Sequence, residues 1–197
     1  MPRVPQARLS VVAEFPEHFF VENIAVRADG SMLITVLNRN ELWYVPAAGN
    51  TLPVQPKLLG NFEFNTTFIV EWEPERFLLG VADVYETREA KLYEVDLTGW
   101  SPGAPIAPGL VLEFPKPWVG LNGATFVAPY VMVAAGAAGL LWRVDLSDDG
   151  SASARIWLQH DSMRNRPGEK KLSSQAPTAY SSRSAPAIST TPPRRNR

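Results

Sequence analysis

The same four-residue pattern occurs three times in this chain at nearly constant spacing. Leu42–Val45 (LWYV), Leu92–Val95 (LYEV) and Leu141–Val144 (LWRV) align without gaps, and a large aromatic residue stands second in each. The aromatic positions of neighbouring copies are 50 and 49 residues apart. In each copy a β-branched residue follows two positions after the aromatic, the alternation typical of a β-strand. Three aligned repeats of this length favour propeller blades over a meander or a sandwich with chance similarity.

The first repeat is predicted to contain four short strands separated by turns. Its strands are predicted at residues 22–27, 31–37, 41–45 and 53–59. Gly30 closes the first turn, because glycine accepts the positive φ that tight turns need. Pro53 and Pro56 are tolerated in the last strand, since an edge strand need not donate every N–H.

The second and third repeats are each predicted to contain four strands in the same order. Those of the second repeat are predicted at 67–71, 76–83, 91–97 and 110–114. Those of the third repeat are predicted at 122–127, 130–135, 139–146 and 154–159. A further strand at 10–15 stands outside the repeats, and no segment has the period of an amphipathic helix. The predicted fold is therefore all-β, a partial β-propeller of about three four-stranded blades within residues 10–161.

Residues 162–197 are predicted to form a disordered basic tail. Positions 172–193 hold 13 Ser, Thr or Pro in 22 residues, too little apolar surface to offset the entropy of ordering. The formal net charge of −1 is unevenly distributed: residues 164–197 carry eight Lys or Arg and one Glu, which gives +7 and leaves −8 for the rest. A nucleic-acid arm would interleave aromatics with the charges, and the tail offers only Tyr180, so no nucleic-acid partner is predicted.

Composition limits the remaining chemistry and the compartment. The chain has no cysteine, which excludes disulfides and thiolate catalysis. Its N-terminus lacks the apolar segment of a signal peptide, and no run approaches the length of a membrane span. These features predict a cytoplasmic protein with no membrane partner.

Three blades are too few to close a propeller, which uses four to eight. We therefore expect this sequence to be the N-terminal half of a larger propeller, shortened by an alternative transcript or an error in the gene structure. The two terminal blades would each expose an apolar face. The chain on its own is expected to be unstable or to aggregate.

Four short segments carry a pattern found in a known family, namely Glu22–Val26, Asp29-Gly30, Glu41–Trp43 and Leu121–Gly123. Together they resemble the senescence-marker-protein/gluconolactonase/luciferin-regenerating-enzyme-like family. The resemblance covers residues 10–161 and is nearest to the fungal natural-product branch, which includes propellers that catalyse hetero-Diels–Alder cyclisations. It implies a six-bladed propeller, of which this chain would form half.

The resemblance also implies a site in the central channel. Members of the wider family hydrolyse lactones with one divalent metal, held by a Glu of the first blade and by Asn and Asp of later blades. Glu22 matches the first-blade glutamate, and Asn122 matches the family's Asn-Gly pattern. The second repeat opens with Thr67, a poor ligand for a hard cation. The prediction is a site without a cofactor, and the alternative is one divalent cation such as Ca²⁺ or Zn²⁺ held by Glu22 and Asn122.

Each candidate site residue also has a purely structural interpretation. Glu22 and Asn122 are the predicted catalytic residues, although Glu22 also fits a strand start facing solvent and Asn122 fits a turn. The predicted substrate-binding residues are Trp72, Asp83, Trp118 and Phe126. Asp83 also fits the end of a strand, and the aromatics also fit packing between blades. His18 and His160 stand alone, without the partners of a catalytic triad.

The resemblance predicts an enzyme of secondary-metabolite biosynthesis that acts on a small polyketide or terpenoid-type molecule. A hetero-Diels–Alderase-like cyclase would work mainly by holding its reacting groups close together. A metal-dependent lactonase or esterase is the first alternative. A non-catalytic binding module and an inactive fragment are the others, because a propeller fold does not determine function.

Overall fold

A computed structural model of the chain describes residues 9–115, 120–147 and 150–164. In this part of the chain, twelve strands form three four-stranded antiparallel sheets. The first sheet contains β1 (Val21–Val26), β2 (Met32–Val36), β3 (Glu41–Val45) and β4 (Lys57–Asn61). The second contains β5 (Asn65–Glu73), β6 (Arg76–Ala82), β7 (Ala90–Asp96) and β8 (Gly109–Glu113). The third contains β9 (Leu121–Val127), β10 (Tyr130–Ala135), β11 (Leu140–Leu146) and β12 (Ala152–Gln159).

The strands of every sheet follow one another in chain order, so each predicted repeat forms one sheet. We refer to the sheets as blade 1, blade 2 and blade 3. The predicted all-β fold, a partial propeller with three four-stranded blades, is confirmed. The first turn also forms as predicted, with Gly30 at φ 82° and its N–H donating to the carbonyl of Arg27.

Two predicted strands differ most from the structure. The segment 10–15 forms no strand, and only Ala13 makes an isolated parallel bridge, to Val54. The outer strand of blade 1 begins at Lys57 and therefore follows both prolines. A proline has no N–H to donate to the neighbouring strand, so the ladder starts only after Pro56.

Neighbouring blades pack face to face through buried apolar side chains. Blades 1 and 2 share a cluster that includes Leu33, Leu42, Ile69, Phe77 and Leu79. Blades 2 and 3 share a second cluster that includes Phe68, Leu78, Leu92, Val133 and Trp142. Blade 2 is thus covered on both faces, and burial of this apolar surface is the main source of its stability.

The N-terminal segment covers part of the outer face of blade 1. The rings of Phe15 and Phe19 meet the ring of Trp43 edge-on, with centroids 5.7 and 5.8 Å apart. The backbone of this segment is attached by a hydrogen bond from the N–H of Val54 to the carbonyl of Val12, at 2.8 Å. The sequence predicted an isolated strand here, whereas the segment stabilises blade 1 through aromatic contacts.

Helix is minor in the described residues, where it consists of three short 3-10 turns. None of these turns is long and apolar enough to cross a membrane. Nearly all of the predicted C-terminal tail, from residue 165 onward, lies outside the described residues.

Candidate functional site

The innermost strands of the three blades begin at the same end of the molecule. Strand β5 lies between β1 and β9 and contacts both. The start of β5 is fixed to the β2–β3 loop of blade 1, because the Asn65 amide donates to the carbonyl of Leu37 and to Oδ1 of Asn40, both at 3.0 Å. We call this end the upper rim; it comprises the starts of β1, β5 and β9 and the loops at 37–40, 83–89 and 136–139.

Each innermost strand carries a β-bulge at its start, at an equivalent position. In β1 the ladder register passes from Val21 to Asn23, and Glu22 between them has no cross-strand partner. The ladders of β5 and β9 skip Thr67 and Asn122 in the same way, so these residues also have no cross-strand partner. A bulge changes the direction of a side chain and is common next to active sites. The three residues that the sequence placed at the repeat openings are therefore structurally equivalent.

The three bulge residues differ in what they offer to a ligand. Glu22 is half-buried, and this burial raises the pKa of its carboxyl. Asn122 is exposed. Thr67 is buried, and its hydroxyl donates to the carbonyl of Gly80 at 3.2 Å. Glu22 and Asn122 thus remain the two polar groups of this series that are accessible at the upper rim.

Asn23 holds the backbone of the first bulge in place, a role that the sequence analysis missed. Its Oδ1 accepts from the N–H of Ile69 at 3.3 Å, which joins β1 to β5. Its own N–H donates to Oγ1 of Thr35 at 3.0 Å. The signal in the sequence was a short polar side chain directly after the candidate Glu22, at a position where strand alternation alone gives no reason for it.

Asp83 lies at the upper rim, where its own loop uses its carboxylate. The carboxylate accepts from the N–H groups of Tyr85, Glu86 and Thr87 at 3.1, 3.0 and 2.6 Å, and from the Thr87 hydroxyl at 2.8 Å. Burial alone would raise the pKa of Asp83, but these hydrogen bonds outweigh it and lower the pKa to about 2. The structure therefore shows a loop-organising role for Asp83.

The aromatic candidates in the described residues lie away from the upper rim, where Glu22 and Asn122 are located. Trp72 lies near the last residues of β5, packs against the core shared by blades 2 and 3, and carries the Arg76 guanidinium 4.4 Å from its ring centroid. Phe126 is exposed near the last residues of β9. Both positions are at the opposite ends of their strands from the upper rim. Trp118 lies outside the described residues.

The alternative of a divalent cation can be compared with the side chains present. Within residues 9–115, 120–147 and 150–164, no three His, Cys, Asp or Glu side chains come together as a cation site. Glu22 and Asn122 supply oxygen donors, but Ca²⁺ takes six to eight oxygen ligands. The described residues therefore do not fit a complete site for a divalent cation.

Comparison with known proteins supports the fold. The sequence matches no protein-family model, and no curated protein matches it. The chain is similar to a chain in the crystal structure of a nidogen/laminin complex, with a TM-score of 0.52 and 9% identity over 73% of this chain and 49% of that one. It also matches a functionally unknown protein from Desulfotomaculum acetoxidans DSM 771, with a TM-score of 0.47 and 10% identity over 71% of this chain and 41% of that one. The chain thus spans half or less of these structures, and the first likeness indicates a propeller-like β fold.

Proposed function

We propose that this chain belongs to a gluconolactonase-like propeller enzyme of secondary-metabolite biosynthesis and contributes to a hetero-Diels–Alderase-like cyclisation. The proposed substrate is a polyketide or terpenoid-type small molecule bound at the upper rim. The observation that carries the proposal is the pair of equivalent bulges that present Glu22 and Asn122 at the starts of β1 and β9.

Glu22 suits the role of a hydrogen-bond donor to a substrate carbonyl. Burial raises the pKa of its carboxyl, which favours the protonated form that can donate. A protonated Glu22 would donate to the carbonyl oxygen of an enone and make its π-system more electrophilic. Asn122, on the other side of β5, would fix the orientation of the substrate through a second polar group. The cyclisation itself needs no covalent intermediate with the protein, and the site accelerates it by holding diene and dienophile together.

Two matched substitutions test the role of Glu22. Glu22→Ala should lower the cyclisation rate of an enone with a tethered alkene by about 10²-fold, because one donor to the developing negative charge is lost. Glu22→Gln keeps a neutral donor and should retain more activity. The wild-type rate should fall as the pH rises through the pKa of Glu22, whereas the Glu22→Gln rate should not change over that range.

The control is Glu86→Gln, which makes the same change of charge at an exposed rim position. It should leave both the rate and its pH profile unchanged. A Glu22→Ala protein that folds and retains the full rate would exclude Glu22 from catalysis.

A metal-dependent lactonase is the second candidate, because the Glu22 carboxylate and the Asn122 amide both carry oxygen donors of the type that hard cations bind. Its remaining ligands would have to come from outside the described residues. Lactone hydrolysis that is lost on chelation and restored by Ca²⁺ or Zn²⁺ would favour this candidate, whereas cyclisation that is insensitive to chelation favours the first.

A further inference from the structure

We propose that two copies of this chain close into one six-bladed ring, in which blade 3 of each copy packs against blade 1 of the other. This inference rests on the packing of the blades and is independent of the proposed function.

The first step concerns the face that each blade presents to the blade after it. Leu42 of blade 1 and Leu92 of blade 2 hold the same position in the aligned repeats, and each is fully buried beneath the following blade. Leu141 holds this position in blade 3, where no described blade follows, and it is partly exposed. A position on the second strand of each blade shows the same difference. It is held by Leu33, Leu78 and Met132, which are equivalent because they pair with Tyr44, Glu94 and Arg143. Leu33 and Leu78 are fully buried, whereas Met132 of blade 3 is partly exposed. Blade 3 thus has an open face for a following blade.

The second step concerns the face that each blade presents to the blade before it. In blade 2 this face includes a cross-strand row that packs on blade 1, made by Ile69, Leu79 and Tyr93. In blade 3 the equivalent row packs on blade 2 and is made by Ala124, Val133 and Trp142. In blade 1 the same row is Ile24, Ile34 and Trp43.

The row of blade 1 is covered only in part. Phe15 and Phe19 contact Trp43. Ile34, in the middle of the row, is buried beneath the N-terminal segment, whereas Ile24 on the innermost strand remains 52% exposed although its equivalent Ile69 is buried. Exposed apolar area of this kind, on a face that is buried in the equivalent blades, marks a surface that packs against a partner.

The third step identifies the partner. Blade 3 lacks a following blade and blade 1 lacks a preceding blade. The faces that meet at such a contact already pack together twice within the chain, between blades 1 and 2 and between blades 2 and 3. A second copy supplies both, and the two contacts are then related by a twofold axis. Two copies give six blades, within the four to eight that propellers use, whereas three copies would give nine.

Cross-linking by introduced cysteines tests this arrangement. Ala25 of blade 1 and Ile69 of blade 2 lie in the same buried cluster. At the proposed contact, Thr125 in blade 3 of one copy takes the place of Ala25, and Ile24 in blade 1 of the other copy takes the place of Ile69. The chain contains no cysteine, so every disulfide formed must join introduced residues. The double variant Ile24→Cys/Thr125→Cys should oxidise to a covalent dimer with twice the 21.7 kDa mass of the chain.

Matched controls separate this contact from other modes of association. Each single-cysteine variant should remain uncross-linked, because Ile24 does not face Ile24 in the ring and Thr125 does not face Thr125. The pair Ile24→Cys/Leu110→Cys should also remain uncross-linked, since Leu110 is equally exposed but lies on the outermost strand of blade 2.

The unmodified chain gives an independent measurement. Size-exclusion chromatography with light scattering should show a dimer, and Ile24→Lys should shift it to a monomer with an unchanged circular dichroism spectrum. A folded wild-type monomer at all soluble concentrations would overturn the proposal. So would heterogeneous aggregates, or a dimer that cross-links through a single-cysteine variant.

Discussion

Glu22 and Asn122 show what can be inferred from single residues in this chain. Both were chosen from the sequence as candidate site residues because they open their repeats and resemble a family pattern, and the structure shows that both are bulge residues at equivalent positions. Trp72 was selected only as a large aromatic, and it packs between blades instead. Residue type alone does not distinguish these cases, because the position along the strand decides which end of the blade a side chain reaches.

The hydrogen bonds of Asp83 predict a pH-dependent contribution to stability. Asp83→Ala should reduce the free energy of unfolding by about 1–3 kcal/mol at neutral pH, because it leaves several N–H groups of the loop without an acceptor. The pKa of Asp83 is lowered from 3.8 to about 2, so its contribution is complete above about pH 4 and is lost as the pH falls through 2. Urea unfolding of both proteins at several pH values measures this difference.

Glu86→Ala is the control for Asp83→Ala, since it removes an exposed carboxylate from the same loop. It should change stability little at any pH. A difference between wild type and Asp83→Ala that stays constant from neutral pH to pH 2 would show that the charge of Asp83 is not responsible.

At the scale of the strand, alternation and turn residues were sufficient for most of the fold. The first three of the four strands predicted in the opening repeat lie within one residue of their predicted bounds. The segment 10–15 was misread because SVVAEF has the apolar character of a strand but finds only one bridge, at Ala13. Propensity describes a segment that fits a sheet, whereas pairing needs a free strand edge in the right register.

Strand β6 contains a glycine that packing requires. A Cβ added at Gly80 would lie 2.2 Å from Cε1 of the buried Phe68 ring. Gly80→Ala should therefore destabilise the protein by about 1–3 kcal/mol through overpacking. Phe68→Leu should cost less in the Gly80→Ala background than in wild type, which a double-mutant cycle by urea unfolding would measure.

Gly109→Ala serves as the control for Gly80→Ala, because nothing lies within 4 Å of a Cβ added there. It should be nearly neutral. Strictly additive costs for Gly80→Ala and Phe68→Leu would mean that the glycine is needed for a reason other than the ring.

At the scale of the whole molecule, the number of repeats predicted a partial propeller. The sequence did not predict which residues cover the exposed faces of the terminal blades. The N-terminal aromatics that cover Trp43 contribute to this, and they lie outside the repeats. The upper rim likewise depends on three innermost strands that meet only in the folded state. Such contacts between distant segments leave no local pattern to find.

Hydrogen exchange should reveal the unequal cover of the blades. Blade 2 is packed on both faces and blade 3 on one, so in dilute solution amides of β6 and β7 should exchange at least about tenfold more slowly than those of β10 and β11. Raising the protein concentration should slow exchange in β9–β11 if the proposed ring forms. Uniform exchange across the blades in dilute solution would contradict the difference in cover.

Within the residues that the structure describes, no strand passes from one sheet to another, which affects how such a chain can change in evolution. Each blade is one uninterrupted stretch of sequence, joined to the next through residues 62–64 or through the connection that precedes Leu121. A duplication or deletion whose ends fall in these connections adds or removes a complete sheet and leaves every remaining strand with its hydrogen-bonded neighbours. The gene of such a protein can therefore lengthen or shorten in units of one repeat, and its reading frame is the main constraint on where those units join.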